Sequence, residues 1–209
     1  MLADLSIDAF NRELGSNSPA PGGGSVAALS GALGAQLVAM VCNLSIGKKG
    51  YEEHTSELNE VLGEAESLAA SLQQRIDLDT EAFNGVMAAF KMPKESEEEI
   101  AARRAAIQAG YKEAVQSPLG IANECLAVMK LTERLPGKSN ANALSDLGVA
   151  SQQAYAGLEG AVMNVRINLP SIKDESFIRG TAATVEGLLA DGASSRDAVY
   201  AYVCDAIGS

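Results

Sequence analysis

One acidic residue interrupts an otherwise apolar helical stripe. Over residues 54–92, apolar side chains recur at steps of three and four, the spacing of one helix face that packs against a partner helix. The stripe contains Leu58, Leu62, Ala65, Ala69, Leu72, Ile76, Asp79, Phe83, Val86 and Phe90. Burial among apolar side chains raises the pKa of a carboxyl group, which suits Asp79 to general acid or base catalysis near neutral pH. The alternative is a structural hydrogen bond, for example to the N-terminus of a neighbouring helix.

Asp77 lies two residues before Asp79, which places it about 200° around the same helix. It groups there with the polar residues Glu81 and Asn84. We therefore expect Asp77 to be solvated or to lie in an interface, unless the helix end is irregular there.

A second predicted helix, over residues 143–169, has two different faces. One is a core face with Leu147, Ala154, Leu158, Ala161 and Val165. The other is small and polar, with Asp146, Ala150, Gln153, Gly157, Gly160, Asn164 and Asn168. Its amides and carboxylate offer the donors and acceptors that a heterocycle with ring amide groups requires. Close helix packing with cross-helix hydrogen bonds explains the pattern equally well, and Asp146 in the first turn would also complement the helix dipole.

A glycine run, Gly22-Gly23-Gly24, precedes Ser25 and a long uncharged segment. Exposed backbone N–H groups at a helix start favour a carboxylate or phosphate. Lys48 and Lys49 follow the end of the same segment. They complement the helix dipole in the simpler interpretation, and Lys48 holds a ligand carboxylate in the more specific one.

Metal and nucleophile chemistry have little support in the composition. The chain has three widely spaced cysteines, no C-x-x-C pair and one histidine, His54. Zinc sites and disulfide frameworks need closer clusters, so we expect no metal site and no disulfide. Free cysteines are typical of the reducing cytoplasm, and the N-terminus lacks the basic region of a signal peptide, so we predict a cytoplasmic protein.

The charge balance excludes several partners. With 16 basic and 27 acidic residues, the net charge is −11, which argues against nucleic acid and against anionic membrane surfaces. Val26 to Ile46 is uncharged and long enough to span a bilayer. We interpret it as a helix buried in protein, because polar residues interrupt it and the rest of the chain is acidic.

The 209 residues predict one all-α domain, 1–209, because long segments rich in Ala, Leu, Glu and Gln alternate with prolines and no alternating strand pattern occurs. Serines at the predicted starts indicate N-caps at Ser6, Ser25, Ser96, Ser117 (before Pro118) and Ser194 or Ser195. The pattern predicts about eight helices, over 5–15, 25–46, 54–92, 96–115, 118–135, 143–169, 175–191 and 195–207.

Several separated motifs together resemble one enzyme family. They are Pro19-Ala20-Pro21-Gly22-Gly23-Gly24-Ser25, Met40-Val41-Cys42-Asn43-Leu44, Ile46-Gly47-Lys48-Lys49, Asp77-Leu78-Asp79 with Ala82-Phe83, Asn140 to Ala150, and Asn164-Val165-Arg166-Ile167-Asn168. Occurring in order over nearly the whole chain, they are similar to the cyclodeaminase/cyclohydrolase family of folate enzymes. The resemblance implies an all-helical homodimer that acts on one-carbon derivatives of tetrahydrofolate without metal or nucleotide.

The family has two activities, methenyltetrahydrofolate cyclohydrolase and formimidoyltetrahydrofolate cyclodeaminase. A chain without a formiminotransferase domain resembles the bacterial cyclohydrolases more, so hydrolysis of 5,10-methenyltetrahydrofolate to 10-formyltetrahydrofolate is the first expectation. The resemblance and the helical stripes together assign Asp79 and Asp146 to catalysis. The residues expected to bind substrate are Gly22, Gly23, Gly24, Ser25, Lys48, Asn140, Asn142, Asn164 and Asn168.

Two further expectations concern assembly. A ridge of small residues, Ala27, Gly31 and Ala35, lies in a charge-free helix that one small domain would not cover alone, which supports the homodimer. The alternative to an enzyme is a helical binding or assembly module that has kept the fold without the activity. The intact Asp79 and the intact glycine and asparagine motifs argue against that alternative.

Overall fold

The computed structural model describes residues 1–208, and within them the chain forms six α-helices and no β-strand. The all-α prediction is confirmed. The helices are α1 (Ile7–Leu14), α2 (Gly23–Asn43), α3 (Thr55–Phe90), α4 (Glu97–Glu133), α5 (Leu144–Asn168) and α6 (Glu175–Ile207). Short 3-10 turns precede α1, α3 and α5 and follow α5.

The prediction of about eight helices was wrong because two expected breaks do not occur. Helix α4 continues through Pro118, because its packing against α3 and α5 outweighs the cost of a proline inside a helix. Helix α6 continues through Ser194 and Ser195. Ser195 is buried and accepts a hydrogen bond from Lys130 Nζ at 2.8 Å, so it joins two helices and caps none.

Two of the predicted caps are confirmed. Ser6 Oγ accepts from Ala9 N, and Ser96 forms a complete capping box with Glu99. The cap at Ser25 was wrong, because α2 begins two residues earlier and Gly22 is its N-cap. The Ser25 hydroxyl is free to donate to another helix, and it bonds the Ile76 carbonyl at 2.8 Å.

Helix α2 is the core of the molecule. It packs against α3, α5 and α4, and its buried face consists mainly of alanine, glycine and valine. It is long and apolar enough to cross a membrane by length and composition, yet most of it is buried inside the protein. This is the arrangement expected of a core helix.

Helices α2 and α5 approach each other closely because glycines face each other across their contact. A Cβ added to Gly157 would lie 2.7 Å from the Ala27 carbonyl, and one on Gly34 would lie 2.9 Å from the Ala150 carbonyl. The ridge of Ala27, Gly31 and Ala35 is therefore buried within the chain, and the argument that placed it in a dimer interface was wrong. The middle of the small α5 face is likewise used for helix packing.

Helices α2 and α5 run antiparallel, so the pair has two different ends. The start of α2 lies beside the end of α5, and the end of α2 lies beside the start of α5. A Cβ on Gly23, in the first turn of α2, would lie 3.2 Å from Asn164 Nδ2 near the end of α5. At the opposite end, Asn140 Nδ2, just before α5, donates to the Leu44 carbonyl that follows α2. We call these the Asp79 end and the Asn140 end.

Candidate functional site

Asp79 on α3 lies against the first turn of α2. Its carboxylate contacts Gly24 so closely that a methyl group there would overlap both carboxylate oxygens. The Ser25 backbone N–H at the same helix start lies near the carboxylate and lowers its pKa. The glycine run therefore serves a chemical purpose, since a residue with a side chain at 24 would push the carboxylate away from the helix start.

Burial raises the pKa of Asp79, and the hydrogen bond from the Ser25 backbone N–H lowers it by less, so the net shift is upward. The upward direction agrees with the argument from the apolar stripe, and the contact with the start of α2 agrees with the structural alternative, so one carboxylate combines both features.

Two cavities open beside this carboxylate. One, of about 250 Å³, is lined by Asp79, Ala82, Phe83, Val86, Met87, Phe90, Tyr111, Ala114, Asn164 and Asn168. The other, of about 210 Å³, is lined by Pro19, Ala20, Gly22, Gly23, Asp79, Thr80, Phe83 and Asn164. Because they share Asp79, Phe83 and Asn164, a ligand spanning both would pass directly over the carboxylate. Their combined size lies in the range typical of small-molecule sites.

The end of the small polar face of α5 contributes two amides to the same cavities. Asn164 Nδ2 donates to the Gly160 carbonyl at 2.8 Å, and Asn168 Nδ2 donates to the Asn164 carbonyl at 2.9 Å. The structure therefore gathers the predicted residues Gly22, Gly23, Gly24, Ser25, Asp79, Asn164 and Asn168 at one place.

Three aromatic residues in the larger cavity were missed as site residues by the sequence analysis. Phe83 and Phe90 were assigned to the packed stripe, but they are 36% and 41% exposed. The Phe90 and Tyr111 rings meet edge to face, with centroids 6.2 Å apart. The available signal was position, since Phe83 and Phe90 lie four and eleven residues beyond Asp79 on its own stripe. These rings offer flat apolar walls to an aromatic ligand.

The Asn140 end holds the other predicted polar residues. Lys48 Nζ donates to Asn140 Oδ1 at 2.5 Å, and the Asn142 backbone N–H donates to the same oxygen at 3.0 Å. The Asn140 backbone N–H donates to Ser45 Oγ at 2.7 Å. Asn140 is buried, and its polar atoms are all satisfied by protein groups, so here it organises the connection between α2 and α5.

Asp146 lies at the Asn140 end, in the first turn of α5. It lies about 27 Å from Asn164 along the same straight helix, at a rise of 1.5 Å per residue. One chain therefore does not bring Lys48, Asn140, Asn142 or Asp146 to Asp79, and the predicted site residues fall into two separate groups.

The structure gives Asp77 a structural role. Its carboxylate accepts from the Leu2 backbone N–H at 2.6 Å and from the Ala3 backbone N–H at 3.3 Å. It is half-buried and tethers the N-terminal turn to α3, so neither a solvated position nor an interface describes it.

Within residues 1–208, no three His, Cys, Asp or Glu side chains lie close enough together to hold a metal ion. The chemistry available at the Asp79 end is that of one carboxylate of raised proton affinity, two amides and aromatic walls. That set suits proton transfer on an uncharged or cationic heterocycle.

Comparison with known proteins identifies the family. The model of the formiminotransferase-cyclodeaminase family matches residues 6–187. The chain belongs to this family. Its members include a methenyltetrahydrofolate cyclohydrolase of Methylorubrum extorquens, 44% identical over 96% of each chain. The formimidoyltransferase-cyclodeaminase of Rattus norvegicus is 37% identical over 90% of this chain, which spans about a third (35%) of that longer protein.

A solved member of the family has the same fold. The crystal structure of formiminotetrahydrofolate cyclodeaminase from Thermotoga maritima superposes with a TM-score of 0.83 and is 28% identical. The match covers 100% of this chain and 98% of that one. The relatives are named for two reactions, a cyclohydrolase and a cyclodeaminase.

Proposed function

We propose that this protein is a methenyltetrahydrofolate cyclohydrolase that converts 5,10-methenyltetrahydrofolate into 10-formyltetrahydrofolate. The observation that carries the proposal is the Asp79 carboxylate, held at a helix start with a raised pKa between two cavities. The likeness to the Methylorubrum extorquens cyclohydrolase over nearly the full length of both chains favours this reaction.

In the proposed mechanism, Asp79 is the general base and then the general acid. Water attacks the amidinium carbon between N5 and N10 of the substrate, and Asp79 takes one water proton. The tetrahedral carbon then releases N5. Asp79 returns the proton to N5, the carbinol hydroxyl loses its proton as the formyl C=O forms, and one proton is released overall. The carboxylate also stabilises the positive amidinium before attack.

The remaining residues of the Asp79 end would bind the substrate. Asn164 and Asn168 offer amide groups to the pterin or amidine region, and the aromatic walls Phe83, Phe90 and Tyr111 would contact its flat rings. The first turn of α2 at Gly24 and Ser25 holds the carboxylate, and Gly22 and Gly23 line the smaller cavity. No metal or cofactor is part of the proposal, and full activity after dialysis against a chelator would be its direct check.

The second candidate is formimidoyltetrahydrofolate cyclodeaminase, favoured by the likeness to the rat and Thermotoga maritima proteins. There N10 attacks the formimino carbon and its proton passes to the imino nitrogen, and protonated Asp79 then donates a proton to the resulting amino group, which leaves as ammonia. Both reactions pass through a tetrahedral carbon between N5 and N10, so one carboxylate serves either.

An absorbance assay separates the two reactions. The protein is mixed with 5,10-methenyltetrahydrofolate, and the ultraviolet absorbance of that compound is followed against buffer. Faster loss supports the cyclohydrolase. Appearance of the same absorbance from formimidoyltetrahydrofolate supports the cyclodeaminase. No change with either substrate contradicts both and leaves the binding module.

The proposed active form is a homodimer. Helices α2 and α5 leave large apolar side chains exposed, namely Leu33, Met40, Val149, Met163 and Ile167. An exposed apolar surface of this kind is typical of an interaction site. This surface, and not the small-residue ridge, is the part of α2 that a second copy would cover.

Such a dimer would also reunite the two groups of predicted site residues. If its two-fold axis crosses α2 at right angles, the Asp79 end of one protomer faces the Asn140 end of its partner. Lys48 and Asp146 would then approach the cavities from the second copy and meet the carboxylates and the heterocycle of the substrate. Sedimentation that shows only a 21.6 kDa particle at micromolar concentration would contradict the dimer.

The proposed compartment is the cytoplasm. Cys42 and Cys125 are buried separately, and burial raises the pKa of Cys42 to about 11 and of Cys125 to about 12, so both remain thiols. Unpaired core thiols are typical of proteins from reducing compartments. Recovery of the protein in a membrane or periplasmic fraction would contradict this placement.

A further inference from the structure

Pro118 lies in the middle of α4, where it leaves one backbone carbonyl without its helical partner. A proline has no backbone N–H, so the Ala114 carbonyl, four residues earlier, has no donor from position 118. Instead, Asn168 Nδ2 on α5 donates to that carbonyl at 3.3 Å. A buried proline on one helix thus creates a hydrogen-bond acceptor for a side chain on another.

The freed carbonyl determines which way the Asn168 amide points. Its two N–H groups have two backbone acceptors, the carbonyls of Ala114 and Asn164. An amide turned around would place its oxygen against both of them, which is unfavourable. Among residues 1–208 nothing donates to Asn168 Oδ1, and Asn168 lines the larger cavity. The oxygen is therefore the atom left to bind a ligand.

We propose that Pro118 is a positioning residue, which fixes Asn168 so that it presents an acceptor to a donor group of the heterocyclic substrate beside Asp79. This rests on the proposed folate function for the identity of the ligand. The nearby carboxylate of Asp79 is also an acceptor, so this wall of the cavity selects a ligand edge that carries N–H groups. A ligand edge that carries only acceptors is disfavoured there.

The first test needs no substrate. Protein labelled with ¹⁵N at asparagine gives a side-chain amide signal for Asn168, assigned by its loss in Asn168→Ala. In Pro118→Ala, the new N–H at position 118 bonds the Ala114 carbonyl and displaces one Asn168 hydrogen. We expect that signal to shift and its hydrogens to exchange faster, while in Pro93→Ala, a change in an exposed loop, both stay as in the wild type. An unchanged Asn168 signal in folded Pro118→Ala would overturn the inference, whatever reaction the protein catalyses.

The second test measures substrate recognition with 5,10-methenyltetrahydrofolate as the probe. Loss of one positioned hydrogen bond should raise KM about fivefold to tenfold in Pro118→Ala with kcat almost unchanged. The same proline substitution in an Asn168→Ala background separates positioning from the cavity that a smaller residue leaves in α4. We expect no further rise of KM there. An equal rise in both backgrounds, or a fall in kcat alone, would contradict the inference.

Discussion

The two ends of the α2–α5 pair contain similar residue types, but their polar groups are fully hydrogen-bonded at one end and incompletely bonded at the other. At the Asn140 end, Lys48, Asn140, Asn142 and Ser45 bond one another and the backbone. At the Asp79 end, Asp79 has a raised pKa, and Asn164 and Asn168 line open cavities. Polar residues that satisfy one another stabilise a fold, whereas polar groups held in place but left incompletely bonded are available to a ligand. This difference can be seen only when the hydrogen-bond partners of each residue are known.

Asp79→Asn gives the largest expected effect and tests the Asp79 end directly. Turnover of 5,10-methenyltetrahydrofolate should fall about 10²–10⁴-fold, the usual range for loss of a general acid or base. Asparagine keeps an oxygen for the Ser25 backbone N–H but cannot exchange a proton. Asp77→Asn, two residues away, is the control, and its turnover should stay near wild type. A more active Asp79→Asn than Asp77→Asn, with both proteins folded, would refute the assignment.

The same variant should be at least as heat-stable as the wild type at neutral pH. Because the pKa of Asp79 is raised by folding, the native state holds its proton more tightly than the unfolded state. The free energy of unfolding therefore decreases as pH rises from the unfolded pKa through the native one. Asparagine removes this penalty. Melting temperatures measured at pH 5 and pH 8 check this, and a lower melting temperature for Asp79→Asn at both would favour a purely structural carboxylate.

The pH dependence of the hydrolysis follows from the same shift. As a general base, Asp79 must be ionised, so kcat/KM should rise with pH through a pKa above the ordinary aspartate value of 3.8. Below that pKa, the fall should be about tenfold per pH unit. Asp79→Asn should lose this limb of the profile, and an identical limb in the variant would show that another group titrates.

Gly24→Ala should damage the site without touching a ligand. The added methyl overlaps the Asp79 carboxylate and must displace it from the start of α2. A displacement of about 1 Å lowers the rate on the order of 10²-fold. Gly63→Ala on α3 is the matched control, because nothing lies within 4 Å of the added methyl. Equal activities of the two variants would show that the glycine run is not needed for the reaction.

Lys48→Ala tests whether the Asn140 end reaches the partner's site. If it binds a substrate carboxylate in the dimer, KM should rise about tenfold, the effect of one charged hydrogen bond, with kcat little changed. Dimers reassembled from Lys48→Ala and Asp79→Asn chains should recover activity, because one of their two composite sites is intact. Absence of recovery in confirmed mixed dimers would show that each site is complete within one chain.

Asn140→Ala should act on stability before activity. It removes the bonds to Leu44 and Asn142 from a buried position, at a cost of about 1–3 kcal/mol. For a chain of this size, each kcal/mol lowers the melting temperature by about 2–4 °C. Thermal unfolding followed by circular dichroism measures the change, and an unaltered melting temperature would remove the structural distinction between the two ends.

Local pattern predicted much of this molecule. The Asp79 stripe, the core face of α5 and the caps at Ser6 and Ser96 follow from helical periodicity and from side-chain chemistry within one turn. Pro118 and Ser195 misled the prediction because tertiary packing carries α4 and α6 through signals that end isolated helices.

What the sequence could not predict depends on which elements meet. Asp146 shares a helix face with Asn164, but a straight helix holds the two far apart. Phe83 belongs to an apolar stripe, yet it is 36% exposed and lines both cavities. The placement of Asp146 and the exposure of Phe83 both depend on the three-dimensional arrangement of the helices, which local sequence patterns do not determine.

The glycines between α2 and α5 make protein engineering here unusually position-dependent. Replacing a helical glycine by alanine is a common route to thermostability, and Gly63, Gly85, Gly180 and Gly187 have room for it. At Gly34 or Gly157 the added methyl group would push α2 and α5 apart. The distance between Asp79 and Asn164 would then increase as well. Substitutions in the middle of the core therefore change the geometry of the active site. A library of stabilising variants should leave the glycines between α2 and α5 unchanged.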